Sequence, residues 1–236
     1  MAEEYFRKVE SRLGFTLPEL YLRMERDGVL HHGKDRKDWL KNAHRGQWET
    51  RFRLVKPPAL SCALGGRSVY WDPPAEVARW VPPDYWKDSI VASFASNGYG
   101  DYWCWYPEFA DSQGIPVIYC PHDYIEAEIF APNFEAFLFR AILESWIGIT
   151  EDALGQFDGG KSDYRKFIKA NVCTLEPYLN PHWVETLKRI SERELTEHEY
   201  KYESLYSLLE RDEADALLKD SVFTGRVGES FRATKG

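Results

Sequence analysis

The sequence predicts an α+β protein: a mostly antiparallel sheet flanked by N-terminal helices and a closing helix, followed by an all-helical C-terminal extension. Three observations carry this reading. Four runs rich in aromatic and β-branched residues lie between Ile90 and Phe130, each bounded by Gly, Pro, Asn or Asp. An apolar stripe at helical spacing follows at once, and after Trp146 the strand signals stop.

From the start of the chain, Ala2 to Leu13 is helical by period, with Tyr5, Val9 and Leu13 on one stripe and Gly14 as its stop. Pro18 fits the first turn of a second helix that runs to about Asp27-Gly28. The polar stretch from Val29 to Arg45 reads as loop, with one short helix near Trp39. Thr50 to Val55 alternates as a half-buried strand, and Ala59 to Leu64 with Arg67 to Trp71 suggests a hairpin around Gly65-Gly66. Pro73 to Trp80 reads as a short helix opened by proline.

The central runs are Ile90–Phe94, Gly100–Trp105, Ile115–Tyr119 and Glu126–Phe130, with Asn97-Gly98-Tyr99-Gly100 the sharpest turn signal among them. Pro132 stops the last strand. Asn133 then caps a helix that carries Phe134, Phe137, Leu138, Ala141 and Ile142 on one face. Beyond a boundary near Gly148, three or four helices are expected. One spans Ser162 to Leu175, a second opens at Asn180-Pro181, and a third opens at Thr196 with Glu199 completing a capping box. The tail from Thr224 is Gly-rich and polar. The organisation is therefore 1–147 as the α+β domain, 148–223 as a docked helical extension and 224–236 as a flexible tail.

A chain of 236 residues with a formal charge of −8 and nine Trp is sized for one substantial core or two modest ones. The acidic balance argues against general nucleic-acid binding and suits capture of a basic partner. The four cysteines, Cys62, Cys104, Cys120 and Cys173, form no C-x-x-C pair, so reduced thiols in a cytosol are expected. No opening signal segment and no apolar run of membrane-spanning length is legible, which points to a cytoplasmic protein.

Several patterns offer chemistry. Gly155-Gln-Phe-Asp-Gly-Gly160-Lys161-Ser162 matches the phosphate-loop spacing, in which backbone N–H groups and Lys161 hold phosphates and Ser162 holds magnesium. Such a loop must follow a buried parallel strand, whereas Thr150 to Leu154 is polar and helix-like, so a helix-linking turn with Ser162 as N-cap is the preferred reading. Cys120-Pro121-His122-Asp123 contains a thiol and an imidazole, yet adjacent residues at a strand end seldom meet as nucleophile and base, and a turn explains Pro121 and Asp123 more simply. His31-His32 with Asp35 lacks a third ligand and reads as an exposed loop. Asp101 and Asp123 stand at strand ends of one sheet, where two acids can face a cleft or simply bond nearby backbone. The sequence does not separate the two accounts, and backbone bonding is the preferred one. No catalytic set, metal site or cofactor is assigned.

The order of motifs resembles the SUKH superfamily, the Smi/Knr-type domain. The opening Glu10-Ser-Arg-Leu13-Gly14-Phe-Thr-Leu17-Pro18-Glu-Leu-Tyr21 is similar to that family's first helix, Leu-Gly turn and Leu-Pro-x-x-Tyr helix. Phe94-Ala-Ser-Asn97-Gly98-Tyr99-Gly100-Asp101-Tyr102-Trp103 resembles its Gly-rich turn with Gly-Asp and aromatics. Pro116 to Tyr119 with His122-Asp123, and Ala131-Pro-Asn133-Phe134 to Leu138, resemble its next strand and closing helix. The match covers about Met1 to Trp146. It departs where the family commonly has Asn-Gly-Gly after the second helix, since only Asp27-Gly28 stands here, and it does not account for the extension.

What the resemblance implies is a non-enzymatic domain, most often a bacterial immunity protein that binds and neutralises a protein toxin, a basic nuclease among the candidates. A regulatory scaffold of the same fold is the alternative, and a hydrolase or nucleotide-binding protein the third reading. Candidate protein-binding residues are Asn97, Tyr99, Asp101 and Trp103, with Trp48 and Trp71 as secondary aromatics. For Trp103 and Trp71 core packing competes with that role. Glu210, Asp212, Glu213 and Asp215 form an acidic concentration that is mostly a solvated helix face, yet suits a basic partner as well.

Overall fold

Aromatic alternation within a short meander builds the centre of the molecule. The computed structural model describes residues 2–30, 59–60, 69–155, 157, 159–200, 203–219, 222 and 225–232. Trp48, the His31-His32-Asp35 loop, Cys62, the strand expected at 50–55 and most of the hairpin around Gly65-Gly66 lie outside them. The α+β class is as expected, with a six-stranded antiparallel sheet and a second, three-stranded one. The chain divides into two compact units: Met1–Arg26 with Val69–Phe137 and Lys219–Gly236, and Asp27–Ser68 with Leu138–Leu218.

The first unit opens with helices α1 (Ala2–Leu13) and α2 (Glu19–Arg26). Gly14 closes α1 at φ 71°, its N–H bonded to the Glu10 carbonyl at 2.8 Å. Next come β1 (Tyr70–Trp71), α3 (Pro74–Arg79), β2 (Ala92–Ser96), β3 (Tyr102–Trp105), β4 (Val117–Cys120) and β5 (Glu126–Ala131). Helix α4 (Phe134–Glu144) begins here, and the Asn133 side chain accepts the Ala136 N–H at 2.9 Å, the cap its sequence promised.

Strand periodicity sorts the side chains into two layers. On one face Phe94, Trp103 and Trp105 meet Tyr21, Phe134 and Phe137; the Phe94 and Trp105 rings are 4.6 Å apart and Tyr21 meets Trp105 edge-on at 4.8 Å. On the other, Cys104, Ile118, Cys120, Ala127 and Ile129 pack with Trp86, Val91 and Tyr106. Both faces are thus covered, and Trp103, with no exposed surface, is a core residue.

The end of the chain supplies a correction. The tail expected to be flexible contains β9 (Ser230–Arg232), which pairs with β5 in the register Ala127↔Phe231 and places Phe231 5.6 Å from Trp86. One aromatic residue with a pocket to enter outweighs a polar, glycine-rich composition.

The second unit contains β6 (Ile149–Thr150), α5 (Glu151–Gly155), α6 (Lys161–Leu175), α7 (Pro181–Ser191), β7 (Thr196–Tyr200), β8 (Glu203–Ser207) and α8 (Arg211–Lys219). Asn180 caps α7 as expected, accepting the Trp183 N–H at 3.0 Å, and the Phe139 and Trp183 rings stack at 4.6 Å. The extension is not all-helical, however, because β6, β8 and β7 form a three-stranded antiparallel sheet. Thr196 to Tyr200 is an edge strand where a capped helix was expected. Bonding to β8 decides its conformation, a partner that local capping signals cannot register.

Candidate functional site

The residue around which the site is built is Asp101. It ends the turn Asn97-Gly98-Tyr99-Gly100, where Gly98 and Gly100 take φ of 80° and 105°. A Cβ on Gly100 would stand 3.1 Å from the His122 ring, and one on Gly98 3.1 Å from the Tyr70 ring, so both glycines permit close approach as well as the turn. The side-chain oxygen of Asn97 accepts the N–H groups of Tyr99 and Asp101 at 2.8 and 3.1 Å, an Asx-type closure of the same turn.

Antiparallel pairing of β3 with β4, in the register Tyr102↔Cys120, brings this turn beside the one that follows β4. Asp101 Oδ2 accepts the Asn97 amide at 2.6 Å and the Tyr119 hydroxyl. Its Oδ1 accepts the backbone N–H of His122 at 2.8 Å and faces His122 Nδ1 at 2.8 Å. His122 Nε2 in turn lies 2.9 Å from Asp123 Oδ2, and the Tyr85 hydroxyl donates to the His122 carbonyl at 2.6 Å.

The electrostatics follow from these bonds. Burial pushes the Asp101 carboxyl up, but hydrogen bonds from Tyr119, His122 and Asn97 outweigh it and hold the group below its usual range. His122 is held above its usual value, first by its hydrogen bond to Asp101 and then by the Asp123 charge. An imidazole with a carboxylate at each nitrogen is arranged as a two-donor cation.

Asp101 and Asp123 therefore meet through one imidazole and do not face each other across a cleft. His122 presents no bare nitrogen to act as a base. The neighbouring Cys120 is buried with Cys104, whose thiol is pushed far up by burial, the opposite of an activated nucleophile. Among the described residues no group of three or more His, Cys, Asp or Glu is placed to hold a metal.

Around this closed cluster the surface is aromatic. Tyr99 and Tyr124 are 71% and 67% exposed, Ile125 and Tyr70 less so. Beside it a hollow of about 10 Å³ is lined by Trp80, Pro83, Tyr85, Trp86, Tyr102 and Pro121.

Of the candidate contact residues, Tyr99 is available to a partner. Asp101 is largely covered, and Asn97, 2% exposed, is spent on its own turn. Trp103 is interior, and half-buried Trp71 stacks on Phe94 at 5.9 Å; for both, the packing role that competed with partner contact in the sequence is the one observed. Sequence reasoning missed Tyr119, Tyr124, Ile125 and Tyr70; the only available signal was the pair of apolar residues directly after the acidic turn at His122-Asp123. In the second unit Glu210, Asp212 and Asp215 are exposed, whereas Glu213 makes a two-pronged pair with Arg193 at 2.7 Å.

The phosphate-loop match has a different environment from the one its chemistry needs. It follows helix α5, its Gly160 is the residue that opens α6, and Lys161 lies 3.3 Å from Glu197 and 4.0 Å over the Tyr206 ring. Ser162 is inside the helix and is not the cap expected of it; Asp163 instead accepts the Gly159 N–H at 3.1 Å.

No family model, no curated protein and no solved structure matches this chain. Among the described residues no helix is long and apolar enough to cross a membrane.

Proposed function

We propose that this chain is a protein-binding module of the SUKH kind, acting in the cytoplasm as a bacterial immunity protein that captures a protein toxin. The observation that carries the reading is the contrast between the closed Asp101–His122–Asp123 cluster and the exposed tyrosines around it. Ionisable groups satisfied by one another make a rigid mount, and exposed aromatic side chains on a rigid mount are what a recognition surface offers. The net charge of −8 favours fast encounter with a basic toxin, a nuclease being the natural class. Nothing in this role calls for a cofactor.

Co-expression tests it. Candidate basic nuclease toxin domains are each induced in a sensitive host with and without the chain. Growth restored by the chain, and a complex of the two on gel filtration, is the expected outcome. Killing that persists despite soluble, folded chain removes the immunity reading.

A further inference from the structure

We propose that the partner docks on the turn end of the six-stranded sheet together with the hollow beside it, and that it presents a basic loop there. This rests on the binding reading above and names its surface and the chemistry of its ligand.

Direct contacts join the pieces into one face. Tyr85 reaches the His122 carbonyl, the His122 ring lies against Gly100, the Tyr70 ring lies against Gly98, and Trp80 meets Tyr102 edge-on at 5.5 Å beside the hollow. Tyr99, Tyr124 and Ile125 stand out from that face, and Val81, 75% exposed, follows Trp80 at its far side.

The charge of the same stretch is one-sided. Between residues 80 and 128 the chain carries eight carboxylates and a single formal cation, Lys87. Of these, Asp84, Asp101, Asp123, Glu126 and Glu128 lie in or beside the turn end, whereas Glu108 and Asp111 belong to the β3–β4 connection at the opposite end. With Lys87, His122 and Arg232, which pairs with Glu126 at 2.9 Å, counted as cations, the balance of the face is still acidic. Aromatic anchors within an acidic field select a Lys- or Arg-bearing surface, since cations gain from both carboxylate and ring.

The hollow beside the turn end adds a place for a small polar group. Trp86 is 1% exposed and lines the hollow, and its indole N–H has no acceptor among the described residues. The indoles of Trp105 and Trp146 share that state, so the Trp86 donor is compatible with an acceptor in the hollow without requiring one. A hollow of about 10 Å³ is far below the several hundred cubic ångströms of a small-molecule site. It has room for one water-sized group, such as a backbone carbonyl at the tip of an incoming loop.

The probe is a phage-displayed library of random dodecapeptides panned on the immobilised full chain. Enrichment of Lys- and Arg-bearing sequences is expected. Their affinity should fall roughly tenfold or more in the combined variant Tyr99→Ala/Tyr124→Ala/Asp123→Lys, as expected when hot-spot anchors are lost. Tyr99 and Tyr124 are exposed, whereas Asp123 faces His122 Nε2 at 2.9 Å, so the melting temperature of the combined variant is measured beside its binding; Asp84→Lys, exposed beside Tyr85 and outside the cluster, provides a second, single-site variant. Glu185→Lys, exposed on α7 in the second unit, should bind as the parent does. Absence of basic enrichment, or equal binding by the face variants, overturns the proposal. Toxin neutralised equally well by the face variants removes this surface and leaves the immunity reading standing. Basic peptides that map to the face while no toxin is neutralised do the reverse.

Discussion

Asp101 Oδ1 stands 2.8 Å from both the backbone nitrogen and the ring Nδ1 of His122, so one carboxylate oxygen holds a residue 21 positions away at two points. With Oδ2 bonded to Asn97 and Tyr119, this single side chain locks the 97–101 turn to the end of β4. Asp101→Asn keeps the shape but loses the charge and one acceptor. It should cost about 1–3 kcal/mol of stability, the range for a buried group left imperfectly paired. Urea unfolding measures this, and an unchanged midpoint would show that the lock does not contribute.

The same pair predicts a pH profile. Asp101 has its folded-state value lowered from 3.8, so its contribution is present above that value and is lost as pH falls through the folded one. His122 is raised from 6.5, so its contribution is complete below 6.5 and disappears as pH rises through the folded value. The stabilisation from both is full only between those two reference values. The difference in melting temperature between the parent and His122→Ala should shrink from about pH 5.5 to about pH 8.5. A gap that stays constant, or widens, refutes the imidazolium assignment.

Tyr21 lies at the heart of the first core with no exposed surface, among Phe6, Trp105 and Phe134, and its hydroxyl has no partner among the described residues. Tyr21→Phe retains the ring contacts and removes the unsatisfied oxygen. Stability should hold or rise by about 1 kcal/mol. A clear loss on denaturation would mean the hydroxyl is bonded after all.

Lys161 is engaged by Glu197 and the Tyr206 ring, and its loop follows a helix. Magnesium-ATP should therefore leave the melting temperature where it is, because only a ligand of the folded state raises it. A concentration-dependent rise that vanishes in Lys161→Ala would reinstate the phosphate-loop reading.

Local signals made much of the first unit legible. Periodicity located α1 and α2, the Asn133 cap and apolar stripe located α4, and Gly-bounded aromatic runs located β2 to β5 to within about two residues, the usual margin at element ends. What stayed hidden depends on distant partners. β7 is a polar edge strand whose conformation comes from β8, and β9 is defined by β5 and the pocket that takes Phe231. The site was half visible: the turn and Asp101 stand out by their glycines, whereas the imidazole bridge to Asp123 needs β4 beside β3. Trp103 and Tyr99, four residues apart in one motif, are indistinguishable as anchors by composition; Trp103 is buried because it lies in β3 against Phe137, whereas Tyr99 stands in the turn before that strand and is exposed.

The central claim is that the aromatic turn end of the large sheet is a recognition surface. The most direct measurement is a calorimetric titration of a Lys- and Arg-bearing dodecapeptide selected on the parent chain into that chain and into Tyr99→Ala/Tyr124→Ala/Asp123→Lys. Saturable binding to the parent, weakened by increasing salt and reduced at least about tenfold in the variant, is the predicted result. Equal heats and equal affinities for the two chains would contradict it.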